Sequence, residues 1–303
     1  MTFNVENLFD TAHDEGKDDY AYLPAAQKGA REHRARCEAL PKGYQREECL
    51  DLDWSEKALE LKLRRVAEAV KQADPDLLVL QEVENSRVLE MLRGRLSGGY
   101  GPGLLVEGKD KRGIDQAMLS RLPVEGRPVL HSPELSGGRG ILEARFRLPD
   151  GKILTVFGVH LPAPYQPREE RVRVLEWLNA HSRSLCVAAG DFNITKAEDA
   201  SYRVSERHID KSWVQSQGLG CGSCRGTSHH RVEGWSFLDR ILVSKDLASG
   251  GAWVVDRASI RVADGARGQK EEDGTPARFD ARFGAGVSDH FPMVLDLVRR
   301  PGP

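Results

Sequence analysis

Nowhere in the 303 residues does an apolar run approach the length of about 18 that a membrane-crossing helix needs. Positive charge is not in excess either. Lys and Arg number 44 against 46 Asp and Glu, a formal net charge of -2. That balance excludes a protein that coats polyanions through overall charge. Any contact with a nucleic acid has to rest on a local Arg/Lys patch and a bound cation. No repeat, internal linker or dense Lys/Arg run breaks the chain. One α/β domain over residues 1–303 is therefore expected, with ample length for a core. No secretory leader is visible. Met1 stands directly before Thr2-Phe3-Asn4-Val5, which already reads as a strand, so a trimmed leader is compatible with the sequence.

Cysteine is scarce: Cys37, Cys49, Cys186, Cys221 and Cys224 are the whole set. Cys186 lies in an apolar run and reads as a small buried hydrophobe. The simplest pairing of the others is 37–49 and 221–224, two disulfides that imply an oxidising compartment. An extracellular or periplasmic location is then expected, with a cytoplasmic one as the alternative. Four thiolates on one zinc, or free thiols, are the rival readings. A single C-x-x-C without a second is weak support for zinc. The first pair belongs to a polar insert from about residue 10 to 55, long for a connection. Its His13 and His33 are expected to be solvated, and nothing in it reads as catalytic.

What the chain does have is a set of short apolar runs that end in polar residues. Leu185-Cys186-Val187-Ala188-Ala189 is too short for a helix and reads as a buried strand. It ends in Gly190-Asp191-Phe192-Asn193, where strand alternation puts Asp191 and Asn193 on one face. An isolated Asp-x-Asn is most often a turn in which both side chains cap backbone groups. Other strands end in the same manner. Thr2–Leu8 carries Asn4, and Leu77–Leu80 leads to Glu82. Ile153–Val159 leads to His160, Phe237–Val243 contains Asp239, and Asp289-His290 precedes the last strand. Between them Ser55 caps a helix whose Leu59, Leu63, Val66 and Val70 form one stripe, ended by Asp74-Pro75. Further helices are expected at about 86–96 and 168–180, with strands near 103–106, 116–120, 142–148, 253–262 and 293–297. Eight side chains of metal-ligand or acid/base type at strand ends point to one shared cleft.

Taken in order, Phe3-Asn4-Val5, Leu80-Gln81-Glu82-Val83, Val159-His160-Leu161, Gly190-Asp191-Phe192-Asn193, Leu238-Asp239-Arg240-Ile241 and Ser288-Asp289-His290 resemble the endonuclease/exonuclease/phosphatase superfamily. The matches span nearly the whole chain. The resemblance implies a four-layer sandwich, with two mixed β-sheets face to face, helices outside, and the site at one end of the sheets. It implies that Glu82, helped by Asn4 and Asp289, holds Mg²⁺ or Mn²⁺, a hard cation suited to oxygen ligands. It also implies that Asp191 deprotonates water and Asn193 donates to a phosphate oxygen. His290 would donate to the phosphoryl oxygen, its tautomer set by Asp239.

His160 stands where the exonuclease III and abasic-site branch typically carries Tyr. A histidine there is similar to the pancreatic deoxyribonuclease and sphingomyelinase branches, where it serves as a second donor or acid near the leaving oxygen. Asp115 is a candidate partner that would orient it, and Asp115 and Arg139 are candidates on the substrate-phosphate side. The expected activity is hydrolysis of DNA, with RNA as a further substrate, by a monomer without a stable protein partner. Hydrolysis of a small or lipid phosphoester is the alternative. It is ranked second because no long apolar hairpin and no dense basic run is present. A binding module with a dead site is the third reading.

Overall fold

The computed structural model describes residues 1–132 and 134–300. In chain order its strands are β1 (Thr2–Leu8), β2 (Leu77–Val83), β3 (Leu104–Leu105), β4 (Asp115–Ser120), β5 (Val129–His131), β6 (Ile141–Arg147) and β7 (Ile153–His160). They continue with β8 (Cys186–Asp191), β9 (Trp213–Gln215), β10 (Ser228–His230), β11 (Gly234–Ser236), β12 (Asp239–Ser244), β13 (Trp253–Val262) and β14 (Met293–Arg299). One six-stranded sheet has the order β13-β14-β1-β2-β4-β3 and the other β5-β6-β7-β8-β12-β9. Each is mixed: β1–β2 and β7–β8 are parallel pairs in otherwise antiparallel sheets. The pair β10–β11 forms a separate small hairpin.

Strand alternation sorts the apolar side chains into three layers. In β2, Leu78 and Leu80 join the outer core of the first sheet, while Val79 faces the second sheet. In β8, Val187 and Ala189 face the first sheet, while Cys186 and Ala188 face outward. The sheets approach closely at Gly158, where a Cβ would lie 3.1 Å from Met118 Cε and 3.3 Å from Val79 Cγ1.

Helices cover both outer faces. The first three are α1 (Arg31–Ala39), α2 (Tyr44–Asp51) and α3 (Glu56–Ala73). They are followed by α4 (Ser86–Arg93) and α5 (Arg168–Ala180). Ser55 caps α3 by accepting from the Ala58 amide, and Leu59, Leu63, Val66 and Val70 all bury against the first sheet. Each such side chain contributes about 2 kcal/mol of burial. Asn85 caps α4 through the Val88 amide. Val174, Leu175 and Leu178 of α5 pack on the second sheet. The expected layers are present.

Several local expectations need correction. The helix expected at 86–96 stops at Arg93, and the strand near 103–106 shrinks to Leu104–Leu105. The insert holds α1 and α2, joined by a Cys37–Cys49 disulfide, and Cys221–Cys224 is a second disulfide. These pairings replace the zinc and free-thiol readings. His33 is buried, contrary to expectation, with Nε2 2.9 Å from the Cys49 carbonyl oxygen. The stretch from 194 to 236, which read as merely polar, contains short helices and β9 to β11. Elements of three to seven residues carry too little periodicity to show in a sequence.

Candidate active site

Three strands of the second sheet deliver one row of side chains. His160 pairs with Asp191 across the parallel strands β7 and β8. Asp191 in turn pairs with Asp239 across the antiparallel strands β8 and β12. All three follow the parity of the inward-facing apolar residues of their strands, Val156, Ala189 and Ile241. They therefore emerge between the sheets where the apolar filling stops. Gly190 makes the row possible. Its φ is +155°, and a Cβ there would lie 1.9 Å from the Val159 carbonyl oxygen.

The first sheet supplies the opposite side. Asn4 alternates with Phe3 and Val5, which point outward, so it faces inward. Glu82 should follow Leu78 and Leu80 outward. A bulge prevents this: Gln81 pairs with Gln116 and Val83 with Asp115, leaving Glu82 as the extra residue with φ of +65°. The bulge turns its carboxylate into the cleft, where Oε1 lies 3.3 Å from Asn4 Nδ2 and 3.8 Å from His160 Nε2. Oε2 accepts from the Asn7 amide.

Asp191 is held from several directions. Oδ2 accepts from Asn4 Nδ2 at 3.1 Å and Asn193 Nδ2 at 3.2 Å, and lies 3.6 Å from His160 Nε2. Oδ1 accepts the Asn193 amide at 2.8 Å. His290 Nδ1 lies 2.7 Å from Asp239 Oδ2 in a buried pair, which assigns the Nδ1 proton to that bond. Its Nε2 faces Asp289 Oδ1 at 3.9 Å. The backbone around Asp289 is anchored by Glu6, which accepts the Asp289 and Phe279 amides and pairs with Arg278. Lys62, fully buried on α3, donates to the Val287 carbonyl.

Electrostatics separates the two histidines. Burial opposes charge on His290, but Asp239, aided by Asp289 and Asp191, raises its pKa well above the ordinary imidazole value. Burial lowers His160 well below that value, reinforced by Arg139, His290 and Arg112. Burial pushes the Asp191 carboxyl up to about 7, with Asp239 adding and His290 opposing. For Glu82 burial opposes ionisation, yet Arg112, Arg139, His290 and the Asn4 amide outweigh it and hold the carboxyl below its ordinary value.

The oxygen donors fit a hard divalent cation. Glu82 is held ionised in the cleft, and the Asp289 carboxylate is about a third exposed beside it, both lining one cavity. Asn4 Oδ1 accepts the Glu6 amide and retains a second lone pair.

Two side chains have partners that the sequence did not show. Asn193 Nδ2 has both hydrogens engaged, by the Leu161 carbonyl and by Asp191, so in this structure it holds Asp191 in place. Asp115 is 2% exposed and its Oδ1 accepts the Gly108 amide. That bond ties its carboxylate to the backbone at Gly108. Arg139 lies near the site, paired with Asp110 and donating to the Leu161 carbonyl. Sequence reasoning missed Glu6, Lys62, Arg112 and Arg278. Glu6 could have been found as a polar residue at the end of β1. Lys62, between core positions of a helix, carried no such signal.

The sequence profile described as Endonuclease/Exonuclease/phosphatase family matches residues 1–290. The chain belongs to the endonuclease/exonuclease/phosphatase family. Members of this family hydrolyse phosphoesters and are typically dependent on divalent metals. The chain is similar to an inositol phosphosphingolipids phospholipase C of Schizosaccharomyces pombe, 26% identical over 169 residues. That match covers 48% of this chain and 39% of the yeast protein. A family member from Beutenbergia cavernae superposes with a TM-score of 0.55 at 17% identity, over 78% of this chain and 66% of its own. TDP2 from D. rerio, solved with a single-strand DNA product, gives 0.54 at 20% identity over 77% and 90%. At these identities the structural likeness is one of fold.

Proposed function

We propose that the protein is a divalent-metal-dependent nuclease that hydrolyses phosphodiester bonds of DNA by attack of water on phosphorus. The observation that carries this reading is the row His160–Asp191–Asp239 facing Glu82 and Asn4 across the cleft. A cation held by Glu82, Asn4 and Asp289 would neutralise charge growing on the phosphoryl oxygens.

The chain's own groups do the rest. Asp191 Oδ2 accepts the proton of the attacking water, with a carboxyl poised near neutrality for that transfer. The Asn4 and Asn193 amides keep the carboxylate aimed. His290 keeps Nδ1–H on Asp239 and presents a protonated Nε2 to a phosphoryl oxygen, a fixed donor where negative charge develops. His160 stays neutral and acts as an N–H donor near the leaving oxygen.

The assignment to DNA is supported by the fold shared with TDP2, which was solved holding single-strand DNA. A second reading, hydrolysis of a lipid or inositol-type phosphoester, is favoured by the sequence match to the yeast phospholipase C. Plasmid and single-stranded DNA incubated with Mg²⁺, with an Asp191→Ala control, distinguishes them. Nicking by the wild type alone is expected. Absence of cleavage, with rapid headgroup release from a sphingolipid, would replace the first reading with the second.

A further inference from the structure

The insert between β1 and α3 walls a cavity of about 410 Å³ that opens onto Glu82 and Asp289. Away from those two carboxylates the catalytic reading leaves it unused. The disulfide Cys37–Cys49 ties α1 to α2, and these helices form its outer wall. Tyr44, Gln45 and Glu48 project from α2, and Arg36 from α1. The Arg36 guanidinium lies over the Tyr20 ring at 4.0 Å, and Arg278 lies 5.2 Å from the Tyr44 ring centroid. Tyr44 is 55% exposed and lines the cavity together with Glu48. Arg112 lines the cavity together with Glu82 and is bonded to Asn7 Oδ1.

Charge narrows the occupant. Apart from Glu82 and Asp289, the carboxylates of Glu6, Asp18 and Glu48 are matched by the guanidiniums of Arg36, Arg112 and Arg278. The guanidiniums so matched leave little free positive charge to hold a second phosphate. A quaternary ammonium would be repelled by the guanidinium charges that already lie on the two tyrosine rings. A neutral planar ring, with donors and acceptors along its edge, meets neither obstacle. It can stack on tyrosine and guanidinium planes and bond the Gln45 amide and the Glu48 carboxylate.

We infer that this cavity is a base-binding subsite, taking the unpaired nucleobase of a nucleotide that adjoins the scissile phosphate. The base stacks on Tyr44 and is read at its edge by Gln45 and Glu48. The inference rests on the nuclease reading and deepens it. The nucleotide must be single-stranded or flipped out, because a base inside a duplex has both faces covered.

The test uses the full chain with Mg²⁺. A single abasic residue is moved through the positions flanking the cleaved bond of a single-stranded oligonucleotide. One position is expected to cost about tenfold in kcat/KM, the scale of one base–aromatic stack. Tyr44→Ala should lose the same factor on the intact strand and nothing further on that abasic strand, while Tyr44→Phe restores cleavage. Separately, a 2-aminopurine dinucleotide with a methylphosphonate link, which is not cut, should be quenched by wild type and not by Tyr44→Ala. Quenching without any DNA cleavage would sink the nuclease reading and leave the subsite standing. Cleavage with no quenching and no abasic penalty overturns the subsite, as does displacement of the probe by phosphocholine but not by a nucleoside monophosphate.

Discussion

Asp191 and Asp239 stand directly opposite each other on the antiparallel strands β8 and β12, both buried, and His290 bonds Asp239 at 2.7 Å. Carboxylates in direct cross-strand register repel. An imidazolium beside them relieves the repulsion, and the field of the two anions is what keeps that imidazole protonated despite burial. Asp191, left with the remaining cost of burial, titrates near neutrality. In the proposed mechanism this one packing relationship supplies both the donor and the base.

Asp239→Asn removes the anion that raises His290. The imidazole pKa should fall, moving the basic limb of the kcat profile to lower pH. The rate should drop about 100-fold or more with KM little changed, the scale of a lost general acid–base group. NMR titration of the His290 ring, compared between wild type and variant, checks this. An unchanged titration would show that Asp239 does not set the protonation of His290.

Gly190→Ala should fail to fold or lose more than about 2 kcal/mol in urea unfolding. The reason is the near-coincidence of a Cβ with the Val159 carbonyl oxygen. A variant with wild-type stability would mean that β7 and β8 are free to separate at this point.

Asp115 gives a pH dependence of stability. Burial raises its folded pKa from 3.8 to about 7. The folded state therefore holds the proton more tightly than the unfolded state. This contribution is fully present below about pH 4 and is lost as pH rises through about 7. Asp115→Asn keeps an acceptor for Gly108 and abolishes the titration. Relative to wild type, the variant should gain on the order of a few kcal/mol between pH 4 and pH 8. Equal urea midpoints at both pH values would contradict the shift.

The Cys37–Cys49 bridge closes a short loop in the insert, and Cys37→Ser with Cys49→Ser should lower stability by about 2–4 kcal/mol. A reducing agent should shift the wild-type unfolding midpoint more than that of the double variant. Mass spectrometry after alkylation of the unreduced, denatured chain should show one reactive thiol, that of Cys186.

Much of the site was legible because strand ends announce themselves: an apolar run followed by Asp191 or His160 needs only period two to be placed. Glu82 was found for the same reason, although the bulge that actually aims it left no mark in the residues around it. The partners of Asn193 were not legible because a local sequence does not show that the Leu161 carbonyl, at the end of another strand, takes one of its hydrogens. Arg112 and Arg278 were missed because their importance comes from chain folding over long separations. The insert looked inert for a similar reason. Its helices are short and polar, and only their packing puts them on the cavity that Glu82 and Asp289 also line.

The most direct measurement is single-turnover cleavage of a 5′-labelled single-stranded DNA by wild type and Asp191→Asn, with Mg²⁺ and with EDTA, after circular dichroism has shown both to be folded. Wild type with Mg²⁺ should cleave, EDTA should stop it, and Asp191→Asn should be slower by about 1,000-fold or more. Cleavage that persists in EDTA, or that proceeds equally in the variant, would contradict a metal-dependent site built on Asp191.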